Sequence, residues 1–146
     1  GITNNFLTNL INLTSLNITN NKSITSIKKL KNLNELILCN NNTISDDDII
    51  QLNNLTSLNL IANKKITNNG ICNLTNLRML DLSSNKIITD EAIENLTNLT
   101  YLNLSFCATI TPNSLKNLTK LKSLVVYQNR GFDNERKLIA DVIKIY

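Results

Sequence analysis

The chain offers few side chains of the kinds that carry out catalysis. Its 146 residues include no histidine, so imidazole bases and the commonest zinc ligand are missing. Cys39, Cys72 and Cys107 are too few and too far apart for a disulfide framework or a zinc knuckle. Cys39 has no predictable base beside it, and with three glycines the chain lacks a glycine-rich phosphate loop. We therefore predict that the protein is not an enzyme and needs no cofactor or metal.

The densest group of carboxylates is Asp46, Asp47 and Asp48. Three adjacent carboxylates could bind a cation, but acidic residues also favour the N-terminus of a helix. Ser45, which precedes them, is a typical N-cap residue. We interpret the group as the start of a helix.

Charge and composition exclude several classes of partner. The formal net charge of +4 comes from lysines that are spread along the chain, with a small cluster at Lys28, Lys29 and Lys31. A nucleic-acid surface needs denser cations with interleaved aromatics, so we expect no nucleic acid. The apolar runs are only a few residues long, so we expect no membrane segment. A monomer that binds a protein partner is the expectation that remains.

Cysteines and asparagines bear on the cellular compartment. An odd, unpaired set of three cysteines fits a reducing environment. Several Asn-x-Ser/Thr sequons fall where the repeat described below needs a bare or buried asparagine, and glycans there would prevent folding. We therefore expect a cytoplasmic protein, with a bacterial surface protein as the alternative.

Leucine recurs along the chain with a fixed period. Leu30, Leu52, Leu74, Leu96 and Leu118 stand 22 residues apart, and such self-similarity is typical of a solenoid. Each opens the same phrase, and an earlier copy that starts at Leu10 has its second half shortened by two residues. In each phrase two alternate aliphatic residues, most of them leucines, share one face of a strand. The period predicts six stacked parallel strands, centred on Leu16, Leu36, Leu58, Leu80, Leu102 and Leu124.

An asparagine or cysteine follows every predicted strand at the same distance. Its side chain can bond backbone groups of adjacent turns that would otherwise be buried without partners. We predict that this column is a structural ladder, made of Asn21, Asn41, Asn63, Asn85, Cys107 and Asn129.

The phrase Leu74-x-x-Leu77-x-x-Leu80-x-Leu82-x-x-Asn85 resembles the leucine-rich-repeat family, and the resemblance covers essentially the whole chain. It implies an α/β solenoid, or horseshoe, with a parallel β-sheet on the concave face and short helices on the convex face. Subfamily features are mixed. Cys107-x-x-Ile110-Thr111 is similar to the cysteine-containing repeats of F-box adaptors, Ile24-x-x-Ile27-x-x-Leu30 to phosphatase-regulator repeats, and the recurring Asn-Leu-Thr-Asn-Leu to internalins.

The resemblance implies a non-enzymatic module, or scaffold, for protein–protein interaction. One alternative is the substrate-recognition arm of a ubiquitin ligase, which an upstream F-box would identify. Another is a regulator of a phosphatase or of a GTPase. A GTPase activator needs a suitably placed arginine, and Arg78 is the candidate near the concave face.

The repeats are expected to occupy residues 1–132. Residues 2–10 align with residues 66–74, so the first repeat is entered midway. Helices are expected to follow Ser45, Thr67, Thr89 and Thr111, whereas the shortened first repeat has room only for an extended or 3₁₀ segment. Residues 133–146 are predicted to form a C-terminal capping helix, with an apolar face of Leu138, Ile139, Val142 and Ile143.

The alternating pattern also identifies the side chains that point away from the core, on the concave face. Apolar and aromatic residues in those positions are unexpected, because the fold does not require them, and beside polar residues they are typical of a binding surface. The predicted partner-binding residues are Ile61, Met79, Asp81, Tyr101, Asn103, Phe106, Val125 and Tyr127.

Overall fold

The computed structural model describes residues 4–133 and 144–145. Strands in this part of the chain form one parallel sheet in which each strand pairs with the next along the chain. Their bounds are β1 Ser15–Asn17, β2 Glu35–Ile37, β3 Ser57–Asn59, β4 Met79–Asp81, β5 Tyr101–Asn103, β6 Ser123–Val125 and β7 Lys144–Ile145. The six predicted strands are confirmed, and each is centred on its predicted leucine.

The strand register follows the leucine period. The pairs Leu16–Leu36, Leu36–Leu58 and their successors up to Leu102–Leu124 lie directly opposite one another. Each central leucine is buried between two more exposed neighbours. The second leucine of the phrase, as in Leu60 and Leu82, is also buried. Stacking these leucines at each rung removes a continuous apolar column from water, which is the main stabilisation available to a solenoid.

Short helices return the chain to the next strand. They are α1 Asn4–Leu7, α2 Asp46–Ile49 and α3 Asn68–Ile71, followed by 3₁₀ helices at Asp90–Ala92, Pro112–Leu115 and Arg130–Phe132. Helical turns therefore follow Ser45, Thr67, Thr89 and Thr111, as predicted. The two later ones are 3₁₀ helices. The shortened first repeat has no helix between β1 and β2, also as predicted.

The asparagine column lies where the chain leaves each strand. Asn85 is typical: its Nδ2 donates to the Asn63 carbonyl at 3.1 Å, and its Oδ1 accepts from the Ile87 and Ile88 amides at 3.0 Å each. Asn41, Asn63 and Asn129 are likewise buried and bond main-chain groups. The Cys107 thiol donates to the Leu82 carbonyl in the same column. Asn21, at the start of the column, is only half-buried.

The residue before each ladder position adopts left-handed backbone. Its φ lies between 50° and 60° in every repeat, at Asn20, Asn40, Ala62, Ser84, Phe106 and Gln128. Asparagine tolerates this region, but the other side chains here are strained by it. In the four repeats where this residue is not asparagine, the turn that sets up the ladder bond therefore carries a local conformational cost.

The capping helix predicted over 133–146 falls mostly on residues that the structure does not describe. Asp133 follows the 3₁₀ turn that ends at Phe132, and residues 134–143 and 146 lie outside the described residues. Lys144–Ile145 pair with β6 as a parallel strand, so the helix does not extend over them. A strand satisfies the backbone groups at the edge of β6, which a helix packed there would leave unpaired. In the described ranges, no helix is long and apolar enough to cross a bilayer.

Candidate functional site

The candidate site lies on the sheet face that points away from the leucine core. Because β1–β6 are in register, outward side chains of successive strands form rows across the sheet, and neighbours within a row sit on strands about 4.8 Å apart. Met79 and Tyr101 are neighbours in one row. Asp81, Asn103 and Val125 are neighbours in the next. The sheet thus brings together predicted residues that are 22 positions apart in the chain.

A pocket of about 210 Å³ opens on this face across β3, β4 and β5. Met79, Asp81 and Tyr101 line it together with Ser57 and Asn59, and the backbone of the central leucines forms its floor. We call it the β3–β5 pocket. Met79 is 50% exposed, whereas Asp81 and Tyr101 are half-buried. The pocket therefore combines an apolar wall, an aromatic ring and a carboxylate.

Hydrogen bonds fix the polar side of the pocket. Asp81 Oδ1 accepts from the Ser83 amide at 2.9 Å, and Asp81 Oδ2 accepts from Asn103 Nδ2 at 3.1 Å. Asn103 Oδ1 in turn accepts from the Ser105 amide and hydroxyl. Because both side chains are anchored to the backbone of their own repeats, the carboxylate is preorganised.

Burial and charge act together on Tyr101. Burial raises the pKa of its phenol above the ordinary value, and the negative charge of Asp81 raises it further. A side-chain hydrogen bond with Asn103 partly opposes these effects. The phenol is therefore neutral at physiological pH and remains a hydrogen-bond donor.

A second cluster lies where β5 and β6 end. The rings of Phe106 and Tyr127 meet edge to face, with centroids 5.5 Å apart and planes at 76°. Both are exposed, at 46% and 57%. Edge-to-face pairs are favourable beyond the area they bury, so these two rings form one preformed aromatic surface.

Ile61 and Val125 are less closely joined to these clusters. Ile61 follows β3 and is separated from Tyr127 by the repeats of β4 and β5. Val125 lies opposite Asn103 on β6. Both are half-buried, so they extend the concave face and are not centres of it.

The set predicted from the sequence omits two residues of the pocket, Ser57 and Asn59. Both occupy outward positions of β3, so the alternation that selected Met79 and Asp81 also pointed to them. Serine and asparagine recur at the outward positions of the other strands, so nothing in the sequence distinguished these two.

A second asparagine ladder, on the exposed edge where the strands begin, was also missed. Asn54 Nδ2 donates to the Lys31 carbonyl at 2.9 Å, and Asn98 Nδ2 donates to the Thr75 carbonyl at 2.9 Å. Asn32 and Asn76 make the equivalent bonds. Asn54, Asn76 and Asn98 line a polar groove together with Arg78. Arg78 thus lies at the edge of the sheet among amides, outside the β3–β5 pocket.

The groups that suggested chemistry have structural partners. Asp48 Oδ2 accepts from the Ser45 amide and hydroxyl, and its Oδ1 accepts from the Ser26 hydroxyl at 2.8 Å. Asp46 accepts from the amide and hydroxyl of Thr67 in the next repeat. These carboxylates therefore cap α2 and join repeats, in line with our interpretation of them as a helix start.

The cysteines are thiols without activating neighbours in the described structure. Burial raises the pKa of Cys107 to about 11, which keeps it neutral. Cys39 is half-buried and donates its Sγ–H to Asn59 Oδ1 at 3.0 Å. Neither arrangement generates a nucleophile.

Comparison with protein families identifies the repeats. Residues 75–114 match the family model for leucine-rich repeats, in two copies. The chain has the fold of a leucine-rich-repeat solenoid. The matched residues include β4, β5 and the ladder positions Asn85 and Cys107, so the repeat model covers the strands that form the centre of the candidate site.

Solved structures extend this leucine-rich-repeat similarity over most of the chain. Internalin C2 from Listeria monocytogenes matches with a TM-score of 0.70 and 28% identity, over 88% of this chain and 59% of its own. An internalin (inlF) from the same bacterium matches with a TM-score of 0.55 and 30% identity, over 79% of this chain and 42% of its own.

Rad7, solved in complex with Elc1 from yeast, matches with a TM-score of 0.74 and 20% identity, over 99% of this chain and 44% of its own. The leucine-rich-repeat chain thus spans about half the length of these structures. No curated protein sequence matches the chain at a significant level. Leucine-rich-repeat solenoids are generally non-enzymatic modules of protein–protein interaction.

Proposed function

We propose that this leucine-rich-repeat solenoid binds a protein partner through its concave sheet face, and that the site centres on Met79, Tyr101 and Tyr127. Asp81 and Asn103 supply polar specificity. The observation that carries the proposal is the exposure of large side chains, such as Met79 and Tyr127, in positions where the core requires none.

The makeup of the face supports this function. Hot spots of protein interfaces are enriched in large side chains with a polar tip, and the loss of a central one typically costs about 2 kcal/mol or more. Here such side chains form two clusters on one rigid sheet, the β3–β5 pocket and the Phe106–Tyr127 pair. A surface that needs no rearrangement loses less conformational entropy on binding.

A cytoplasmic setting is part of the proposal. Three free cysteines support it. So do the sequon asparagines Asn41, which is fully buried, and Asn98, whose side chain bonds the preceding repeat. Glycosylation at these residues would break those contacts.

Site-specific photo-crosslinking in the source cell tests the proposal. A crosslinking residue placed at Tyr127 or Met79 should capture a discrete protein, and capture should fall when the neighbouring Tyr101 is replaced by alanine. The matched control is Ile50, an exposed apolar residue at the end of α2 on the helical side. Equal capture from Ile50 and from the concave positions would contradict the proposal, provided that circular dichroism shows the variants to be folded.

A further inference from the structure

The β3–β5 pocket has the size of one side chain. Its volume of about 210 Å³ lies below the roughly 300–1,000 Å³ typical of small-molecule sites. It opens onto the face where a partner would dock, and its floor is main chain of the sheet. A single projecting side chain of a partner is therefore a better occupant than a free metabolite.

Asp81 gives the pocket its charge. A carboxylate has about four acceptor positions, and the described residues supply two donors to Asp81, the Ser83 amide and Asn103 Nδ2. Among residues 4–133 the one salt bridge joins Lys28 and Asp47, so Asp81 has no cationic partner there. Its remaining acceptor capacity and its charge are available to a ligand.

The rest of the concave face supplies no cation to offset that charge. The outward positions of β1–β6 carry two carboxylates, Glu35 and Asp81, and no lysine or arginine. The whole chain, in contrast, has a formal net charge of +4. A face without cations on a basic protein favours a basic ligand at Asp81 over the acidic ligands that the rest of the surface would attract.

The two other large side chains of the pocket, Met79 and Tyr101, can contact the aliphatic part and the charged group of a basic side chain. Met79 offers a polarizable thioether for the aliphatic stem of such a side chain. The ring of Tyr101 lies beside Asp81 in the same pocket and can face a cation. Arginine uses both features at once, because its planar guanidinium stacks on an aromatic ring while it donates to a carboxylate.

We propose that the β3–β5 pocket receives a basic side chain of the protein partner, arginine in preference to lysine, with Asp81 as its counter-ion and Met79 and Tyr101 as its walls. This inference rests on the proposed function, since it assumes that the partner docks on the concave face. It assigns the specificity of that face to one carboxylate.

A titration followed by ¹⁵N NMR tests the pocket directly. N-acetyl-arginine amide should shift the amide signals of Met79, Asp81 and Tyr101, whereas N-acetyl-citrulline amide, its neutral analogue, should shift them little. Asp81→Asn should weaken the arginine effect about fivefold or more, the equivalent of about 1 kcal/mol, and should retain the bond from the Ser83 amide. Glu35→Gln is the matched control and should leave the effect unchanged.

Equal shifts from arginine and citrulline, or an arginine effect that survives Asp81→Asn, would overturn the inference. A peptide library displayed on phage separates this failure from that of the proposed function. Binders should be enriched in arginine or lysine on the wild-type protein and should lose that enrichment on Asp81→Asn. Binders that require Tyr127 but show no basic enrichment would refute the pocket assignment and leave concave binding in place. Binders indifferent to Tyr127, Met79 and Asp81 would refute both.

Discussion

Replacing Asn85 by alanine tests the ladder that joins the repeats. Asn85 is 1% exposed and makes one bond as a donor, to the Asn63 carbonyl, and two as an acceptor, from the Ile87 and Ile88 amides. The Ile87 amide lies near the surface, where water can replace the lost acceptor. The Asn63 carbonyl and the Ile88 amide are buried, and each would be left without a partner.

The magnitude follows from these two groups. A buried polar group left unsatisfied costs about 1–3 kcal/mol, so the loss of two partners in Asn85→Ala should lower the free energy of unfolding by about 2–6 kcal/mol. Urea denaturation followed by circular dichroism measures this loss. With a slope of about 2 kcal/mol per molar urea, the midpoint should fall by roughly 1–3 M at unchanged slope.

Variants at Asn98 and Cys107 serve as controls for Asn85→Ala. Asn98 makes an exposed bond to the Thr75 carbonyl, so Asn98→Ala should cost less than about 1 kcal/mol because water can take its place. Cys107→Asn should be tolerated, since asparagine would offer the Thr109 and Ile110 amides the acceptor that Asn85 offers in its own repeat. If Asn85→Ala were neutral while Asn98→Ala was costly, the ladder would be assigned to the wrong column.

Two other predictions concern the backbone and the thiols. Ala62 has a φ of 51°, so Ala62→Gly should stabilise the fold by about 0.5–1 kcal/mol because it removes a left-handed alanine. The control Ala92→Gly, in a buried 3₁₀ turn, should destabilise the fold in the same urea assay. A loss of stability in Ala62→Gly would contradict the strain argument. Burial raises the pKa of Cys107 in the folded protein to about 11, so the folded state favours the neutral thiol. This contribution to stability is complete below the pKa of the unfolded chain, about 8.5, and is lost as the pH rises through about 11. In a variant lacking Cys39 and Cys72, the thiolate absorbance of Cys107 should titrate with a midpoint near pH 11. A midpoint near pH 8.5 in the folded protein would refute the argument that burial keeps this thiol neutral.

Regular spacing made the strands predictable. The central leucine of each strand recurs with the repeat, and a shift of one residue would turn Leu80 outward and Asp81 inward, so the register could be predicted residue by residue. The choice between α and 3₁₀ turns was not predictable, because both kinds follow the same Ser or Thr N-cap and run for similar lengths. The strand at Lys144–Ile145 was missed because the sequence pattern there suits an amphipathic helix, while the open edge of β6 favours a strand.

The candidate site could be predicted in its positions but not in its grouping. Alternation placed Met79 and Tyr101 on the concave face, and the structure makes them neighbours in one row. The ring of Phe106 meets that of Tyr127 from a residue with left-handed backbone, and no propensity of phenylalanine suggests that conformation. The exposed ladder through Asn98 was hidden because asparagine is abundant throughout the chain and no single one stood out.

The chemistry of the buried ladder makes the repeats interchangeable units. Asn41, Asn63, Asn85 and Asn129 all donate their side-chain amides to main-chain carbonyls of a preceding repeat. Every residue type has such a carbonyl, so the bond does not depend on which side chains its neighbour carries. Duplication or deletion of one whole 22-residue cassette would therefore recreate the same joint at the new boundary. The outward residues of each repeat can then diverge without disturbing the hydrogen bonds between repeats. Recombination within the gene can therefore lengthen the recognition surface or change the order of its repeats.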